Sequence, residues 1–187
     1  MILCDHHIEA AIRERRVTID PAPEPDQYSS SALDLRVGKN FLVWNPALKT
    51  PSGRFHLDLD RVHLTDLLSL MEPLPTNADG VVAIPPGRLV LVSTLEHIHL
   101  PEKGKLAARV EGRSKQARLG LTAHITAPTI HAGFAGYITL EIINHGPFWL
   151  EVRPNHSRLC QLILEEVSDV PLRSATRTFA GQQTPLG

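Results

Sequence analysis

Between Glu111 and Gly120 the chain reads EGRSKQARLG, which sets Arg113, Ser114, Lys115 and Arg118 within six residues. Forked guanidinium donors, an ammonium point charge and a hydroxyl are the groups that hold phosphate or another small polyanion. Gly112 frees the backbone to turn, and Ser114 is predicted to cap a helical turn through Ala117 whose open amides would add anion-binding donors. The second feature is a lone carboxylate, Glu141, in the otherwise apolar run YITLEIINHG. In a strand of period two, Tyr137, Thr139, Glu141 and Ile143 share one face, and Ile138, Leu140 and Ile142 the other. A glutamate on the less apolar face is ordinarily solvated, whereas one enclosed in a pocket is suited to proton transfer. Each feature alone also fits a plain solvated surface, so their meaning depends on the fold that positions them.

Other candidates are weaker. His97-Ile98-His99 would put two imidazoles on one face of a strand, but no third ligand at a matching spacing singles itself out among His124, His131 and His145, so no histidine metal site is expected. His6 and His7 read as a solvated first helical turn. Asp58 and Asp60 alternate like carboxylates on an edge strand, with nothing nearby to complete a site. Cys4 and Cys160 lie far apart and outside any CxxC pair, so both are expected as reduced thiols.

Charge narrows the partners. The 187 residues carry a formal net charge of -1, which argues against a nucleic-acid-binding protein, since those usually present a basic face. The distribution is uneven: residues 103–120 hold six lysines and arginines against Glu111, while residues 55–80 hold five acids against Arg61. A local cluster of cations suits a small polyanion better than a long one. No apolar run approaches the roughly 20 residues of a membrane span, and MILCDHHIEAAIRERR is too charged for a signal peptide, so a cytoplasmic protein is expected.

The elements that must hold these residues are mostly short strands. A helix is predicted from an Asp5 cap to about Arg15, with Ile8, Ala11 and Ile12 as its apolar stripe, and Pro21–Ser31 reads as a loop. Strands are predicted at Leu33–Val37, Phe41–Trp44, Val81–Ile84, Leu89–Leu95, Leu106–Glu111, Leu121–Ile125, Tyr137–Ile143, Phe148–Val152 and Leu159–Glu165, with Arg61–Leu70 as a second short helix. With 42% hydrophobic residues the chain can bury one core, and many short strands point to a mainly β sandwich or closed barrel. Residues 168–187 are polar and aperiodic, the pattern of a disordered tail or of a lid that orders over a ligand.

EGRSKQARLGL, HITAPTIHAGFAGYITLEIINHGP and FAGQQTP, with ILCDHHIEAAI and SALDLRVG before them, resemble in order and spacing the dCTP deaminases, relatives of the trimeric dUTPases. The resemblance covers nearly the whole chain and is weakest over residues 46–77. It implies a distorted β-barrel or jelly-roll domain over residues 1–167 with a closing tail at 168–187, a homotrimer with active sites shared between subunits, and a dCTP substrate carrying Mg2+ on its triphosphate. It also implies Glu141 as the catalytic glutamate, and Arg113, Ser114, Lys115 and Arg118 as the triphosphate run, with Ser114 and Arg118 near the reacting base. Ala127 would read the pyrimidine through its backbone, Thr139 and Leu140 would line the sugar and base, and Gln182 would close over the nucleotide.

The implied reaction converts dCTP to dUTP and ammonia. Zinc deaminases use H-x-E with P-C-x-x-C; here H-x-E occurs only as His7-Ile8-Glu9, and P-C-x-x-C is absent. The implied route is therefore free of catalytic zinc, with Glu141 taking a proton from the attacking water and passing it to the leaving ammonia. Several positions depart from the family pattern. His131 stands where an aspartate contacts the sugar or activates water in the relatives, Lys115 replaces a serine, Thr178-Phe179 a Lys-Tyr pair, and Thr184 a glycine. His131 argues against hydrolysis of the triphosphate. Two alternatives stay open: a bifunctional deaminase and dUTP diphosphatase, and a nucleotide-binding regulatory protein with weak catalysis.

Overall fold

The computed structural model describes residues 1–49 and 56–173. Among them are two helices, α1 (Asp5–Arg13) and α2 (Ser114–Ala117). The strands are β1 (Thr18–Asp20), β2 (Leu33–Arg36), β3 (Leu42–Trp44), β4 (Met71–Pro73), β5 (Val82–Ile84) and β6 (Leu89–His99), followed by β7 (Leu106–Gly112), β8 (Leu121–Thr122), β9 (Thr129–Ile130), β10 (Ala135–Asn144), β11 (Leu150–Val152) and β12 (Arg158–Glu166). Every ladder is antiparallel. The largest sheet runs β4-β3-β6-β10-β8 with β1 also on β6, the second runs β2-β12-β7-β9, and β5 pairs with β11 in a ribbon.

Burial alternates along the long strands, and that alternation makes the sheets pack. In β10, Gly136, Ile138, Leu140, Ile142 and Asn144 are buried while the residues between them are half-buried. Leu106, Ala108 and Val110 of β7 and Leu162 and Leu164 of β12 join Ile138, Leu140 and Ile142 in one core cluster. Each fully buried Leu or Ile contributes roughly 1.5–3 kcal/mol, so a one-residue slip of any of these strands would turn its apolar face outward. The expected mainly β architecture is therefore present as facing sheets of the jelly-roll kind, and among the described residues no ring of ladders closes into a barrel.

One irregularity fixes the site strand. Tyr137 pairs with His97 and Thr139 with Ser93, so residues 94–96 of β6 stand opposite Ile138 alone. Thr94 fills the bulge: its hydroxyl donates to the Glu96 carbonyl at 2.8 Å and accepts the Ile138 amide at 3.1 Å. The Glu96 carboxylate turns into the core, fully buried, and accepts from Arg36 Nε at 2.8 Å, the Arg36 amide at 2.9 Å and Gln27 Nε2 at 3.1 Å. An interior carboxylate needs such partners, and with them β6 continues past the predicted end at Leu95 to His99.

Further differences have local causes. α1 is capped by Cys4 rather than Asp5 and ends at Arg13, with Ile8 and Ala11 buried as expected. The segment predicted as Arg61–Leu70 helix forms a 3-10 turn at Leu64–Leu70. Asp58 accepts the Asp60 amide at 3.0 Å, which makes a turn where an edge strand was expected. β1, β4 and β9 are two or three residues long, too short for alternation to reveal.

Candidate active site

β10 carries Glu141 opposite Leu91 of β6, on the half-buried face predicted from the period of two. Its Oε2 faces the amide of Ile125 at 3.4 Å. That contact brings the loop between β8 and β9, which includes Ala127, against the carboxylate strand. Ala127 is exposed in that loop. Thr139 lies on the Glu141 face, whereas Leu140 is fully buried in the core, so any part it takes in a ligand site is through its main chain. His131 is exposed just after β9.

The basic run forms the second half. Arg113 is the cap of α2 and Ser114 its first residue, with no side-chain capping bond, so Ser114 does not cap the turn as predicted. Ser114, Lys115 and Arg118 are exposed, and Arg113 and Gln116 are half-buried. Arg113 holds the turn in place: its Nη2 lies 2.9 Å from Asp34 Oδ2 of β2, and its Nη1 donates to the Arg158 carbonyl of β12 at 3.0 Å. Gln116 donates to the same carbonyl at 3.1 Å, and Gln161 holds the other Asp34 oxygen at 3.1 Å. Part of the guanidinium fork predicted for phosphate is thus already engaged within the chain. Sequence reasoning missed this strut, for which Asp34 between Leu33 and Leu35 was the available signal.

A cleft of about 420 Å³ opens beside α2, lined in part by Arg113, Lys115, Gln116, Glu151, His156 and Arg158. Arg158 is itself paired, through Nη2 to Asp26 Oδ1 at 2.7 Å, which lowers the Asp26 pKa and raises that of Arg158. Glu141 is not among the residues lining the cleft. Among the described residues no hydrogen bond or ion pair joins Glu141 to Arg113, Ser114, Lys115 or Arg118. The fold does couple the two halves through the backbone. Gly120 follows α2 with φ +89°, its carbonyl accepts the His145 amide at 2.7 Å, and a Cβ on Gly120 or Gly146 would overlap the main chain of the other turn. The loop after α2 and the loop after β10 thus pass each other at backbone contact.

The remaining candidates make contacts of their own or lie outside the described residues. His97 packs edge-on against Tyr137 at 5.3 Å between ring centroids, and His99 is exposed. His124 lies 3.8 Å from Glu111. Gln182, Thr178, Phe179 and Thr184 lie outside the described residues, as does most of the predicted tail.

Fold and candidate site together define an antiparallel β protein whose strand carboxylate Glu141 and basic turn Arg113–Arg118 lie on β10 and on the short helix after β7. A family model described as dCTP deaminase-like matches residues 2–167, and the chain belongs to that family. It is 38% identical over 190 residues to a Methanothermobacter thermautotrophicus protein named dCTP deaminase, dUMP-forming, with 98% of this chain and 91% of that protein covered. It is 33% identical over 193 residues to a Rhodospirillum rubrum protein named dCTP deaminase, covering 100% and 95% of the two. The solved 2'-deoxycytidine 5'-triphosphate deaminase of Agrobacterium tumefaciens shares the fold, with a TM-score of 0.62 and 23% identity. The match covers 88% of this chain and about half, 47%, of that one. No helix among the described residues is long and apolar enough to cross a membrane.

Proposed function

We propose that the chain deaminates dCTP to dUTP and ammonia, with Glu141 as the proton acceptor and donor. The observation that carries the reading is a strand carboxylate held against the loop of Ala127, in a member of the dCTP deaminase-like family. Glu141 takes a proton from water as it attacks C4 of cytosine, then returns it to the departing amine. Arg118 and Ser114 orient the water or the base, and Arg118, Lys115, Ser114 and the remaining donors of Arg113 hold the triphosphate. Mg2+ arrives as part of the substrate. Ala127 reads the base through its main chain, Thr139 and His131 face the sugar, and Gln182 with the tail from residue 168 closes over the nucleotide. The complete site is shared between subunits of a homotrimer in this reading, with the triphosphate bridging the basic turn and the Glu141 strand. Exposed Leu119, Ile125, Phe148 and Trp149 support association near these loops. A cytoplasmic location belongs to the same proposal. Incubation with dCTP and Mg2+ followed by chromatography tests it: dUTP with equimolar ammonia is expected, and unchanged dCTP would rule it out.

A second reading, deamination followed by release of dUMP and pyrophosphate, is favoured by relatives named dUMP-forming. His131, in place of an aspartate, weighs against it. The same chromatogram separates the two, because pyrophosphate appears only in the second.

A further inference from the structure

At the start of α1 three metal-ligating side chains converge away from the deaminase residues. Cys4, His6 and His7 each offer a donor atom, and these atoms lie within 4.8 Å of one another. Cys4 Sγ is 3.2 Å from His7 Nδ1 and 3.4 Å from His6 Nδ1. In a tetrahedral zinc site with the usual bond lengths, sulfur and nitrogen ligands stand about 3.6 Å apart. The two sulfur–nitrogen distances are therefore close to the spacing that a tetrahedral ion imposes. His6 Nδ1 also faces Asp5 Oδ1 at 3.3 Å, a contact that coordination would replace.

The scaffold beneath the cluster is rigid. The Leu3 amide donates to the Leu164 carbonyl at 2.9 Å, Asp5 N donates to Ser30 O at 3.2 Å, and Ile8 N closes the first helical turn onto Cys4 O at 2.9 Å. Leu3 and Ile8 are buried on either side of the cluster. Cys4 makes no side-chain capping bond, so its sulfur is not needed by the helix. Asp5, whose carboxylate takes the His6 amide at 2.8 Å, adds negative charge beside the donors. Cys160 is fully buried with its thiol pKa pushed up by desolvation, which leaves Cys4 as the more accessible of the two thiols.

We infer that Cys4, His6 and His7 form a binding site for one borderline-soft divalent cation of the Zn2+ class, with solvent completing the coordination. The donor set selects against Mg2+, which prefers oxygen ligands. The site is separate from the proposed carboxylate chemistry, so it holds the helix start rather than the reaction. The test uses untagged, chelator-treated full chain titrated with Co2+ and then Zn2+, with Mg2+ in excess. One equivalent of Co2+ per chain with a thiolate-to-cobalt charge-transfer band is expected, displaced by Zn2+ and not by Mg2+. Cys4→Ser should abolish the band, and His7→Ala should weaken binding by about tenfold or more. Absence of the band, or binding unchanged in both variants, would overturn the site. Turnover of dCTP that a zinc-selective chelator and Cys4→Ser both abolish would overturn its separation from catalysis. The binding readout stands whether or not the chain deaminates dCTP.

Discussion

At the scale of single residues, Glu141 and Arg113 illustrate two kinds of dependence on context. The strand period put Glu141 on the correct face, but only the fold supplies the Ile125 amide facing it at 3.4 Å. Glu141→Gln keeps the side chain's shape and removes its ability to accept a proton. Turnover of dCTP should fall by about 10²- to 10⁴-fold, with nucleotide affinity, read by calorimetry, within a few-fold of the parent. Arg113 was legible as a cation and illegible as a strut, because its partners Asp34 and Arg158 lie far from it in sequence. Arg113→Ala strands the nearly buried Asp34 carboxylate with Gln161 alone, and it should destabilise the fold by about 1–3 kcal/mol in urea unfolding. Lys115→Ala, next to it but exposed, should change stability by less than about 0.5 kcal/mol while weakening nucleotide binding.

Among elements, the long strands were readable and the short ones were not. β7, β10 and β12 span seven to ten residues, enough for hydrophobic periodicity to show, whereas β1 and β9 pair along the longer β6 and β7, and β4 pairs with the equally short β3. The bulge in β6 could not be read, since Glu96 looks like a strand terminator until Arg36 and Gln27 are known to meet it. The contact between the loops after α2 and after β10 was also hidden, although Gly120 and Gly146 are visible in the sequence. Gly120→Ala adds a left-handed strain of about 1–2 kcal/mol to an overlap with Gly146. It should lower the unfolding midpoint and reduce dCTP turnover together, because the loop cannot yield without moving either the basic turn or the end of the carboxylate strand.

For the whole molecule, the mainly β class was legible from strand number and spacing, while the choice between a sandwich and a closed barrel followed from the ladders. Whether one chain or two supply the proposed site is beyond both composition and periodicity, since neither describes a second chain. Complementation addresses it directly. Glu141→Gln and Arg118→Ala should each be inactive alone; unfolded together and refolded as mixed assemblies, they should recover about a quarter of the parent activity if each site draws Glu141 and Arg118 from different subunits. No recovery, with mixed assemblies demonstrated by mass, would put both residues in one chain's site. A site shared between subunits, as proposed above, has a further consequence for the reaction as a measured rate. Specific activity should fall as the protein is diluted below its assembly threshold and return when it is concentrated, so that the abundance of the chain itself sets how much of it is switched on.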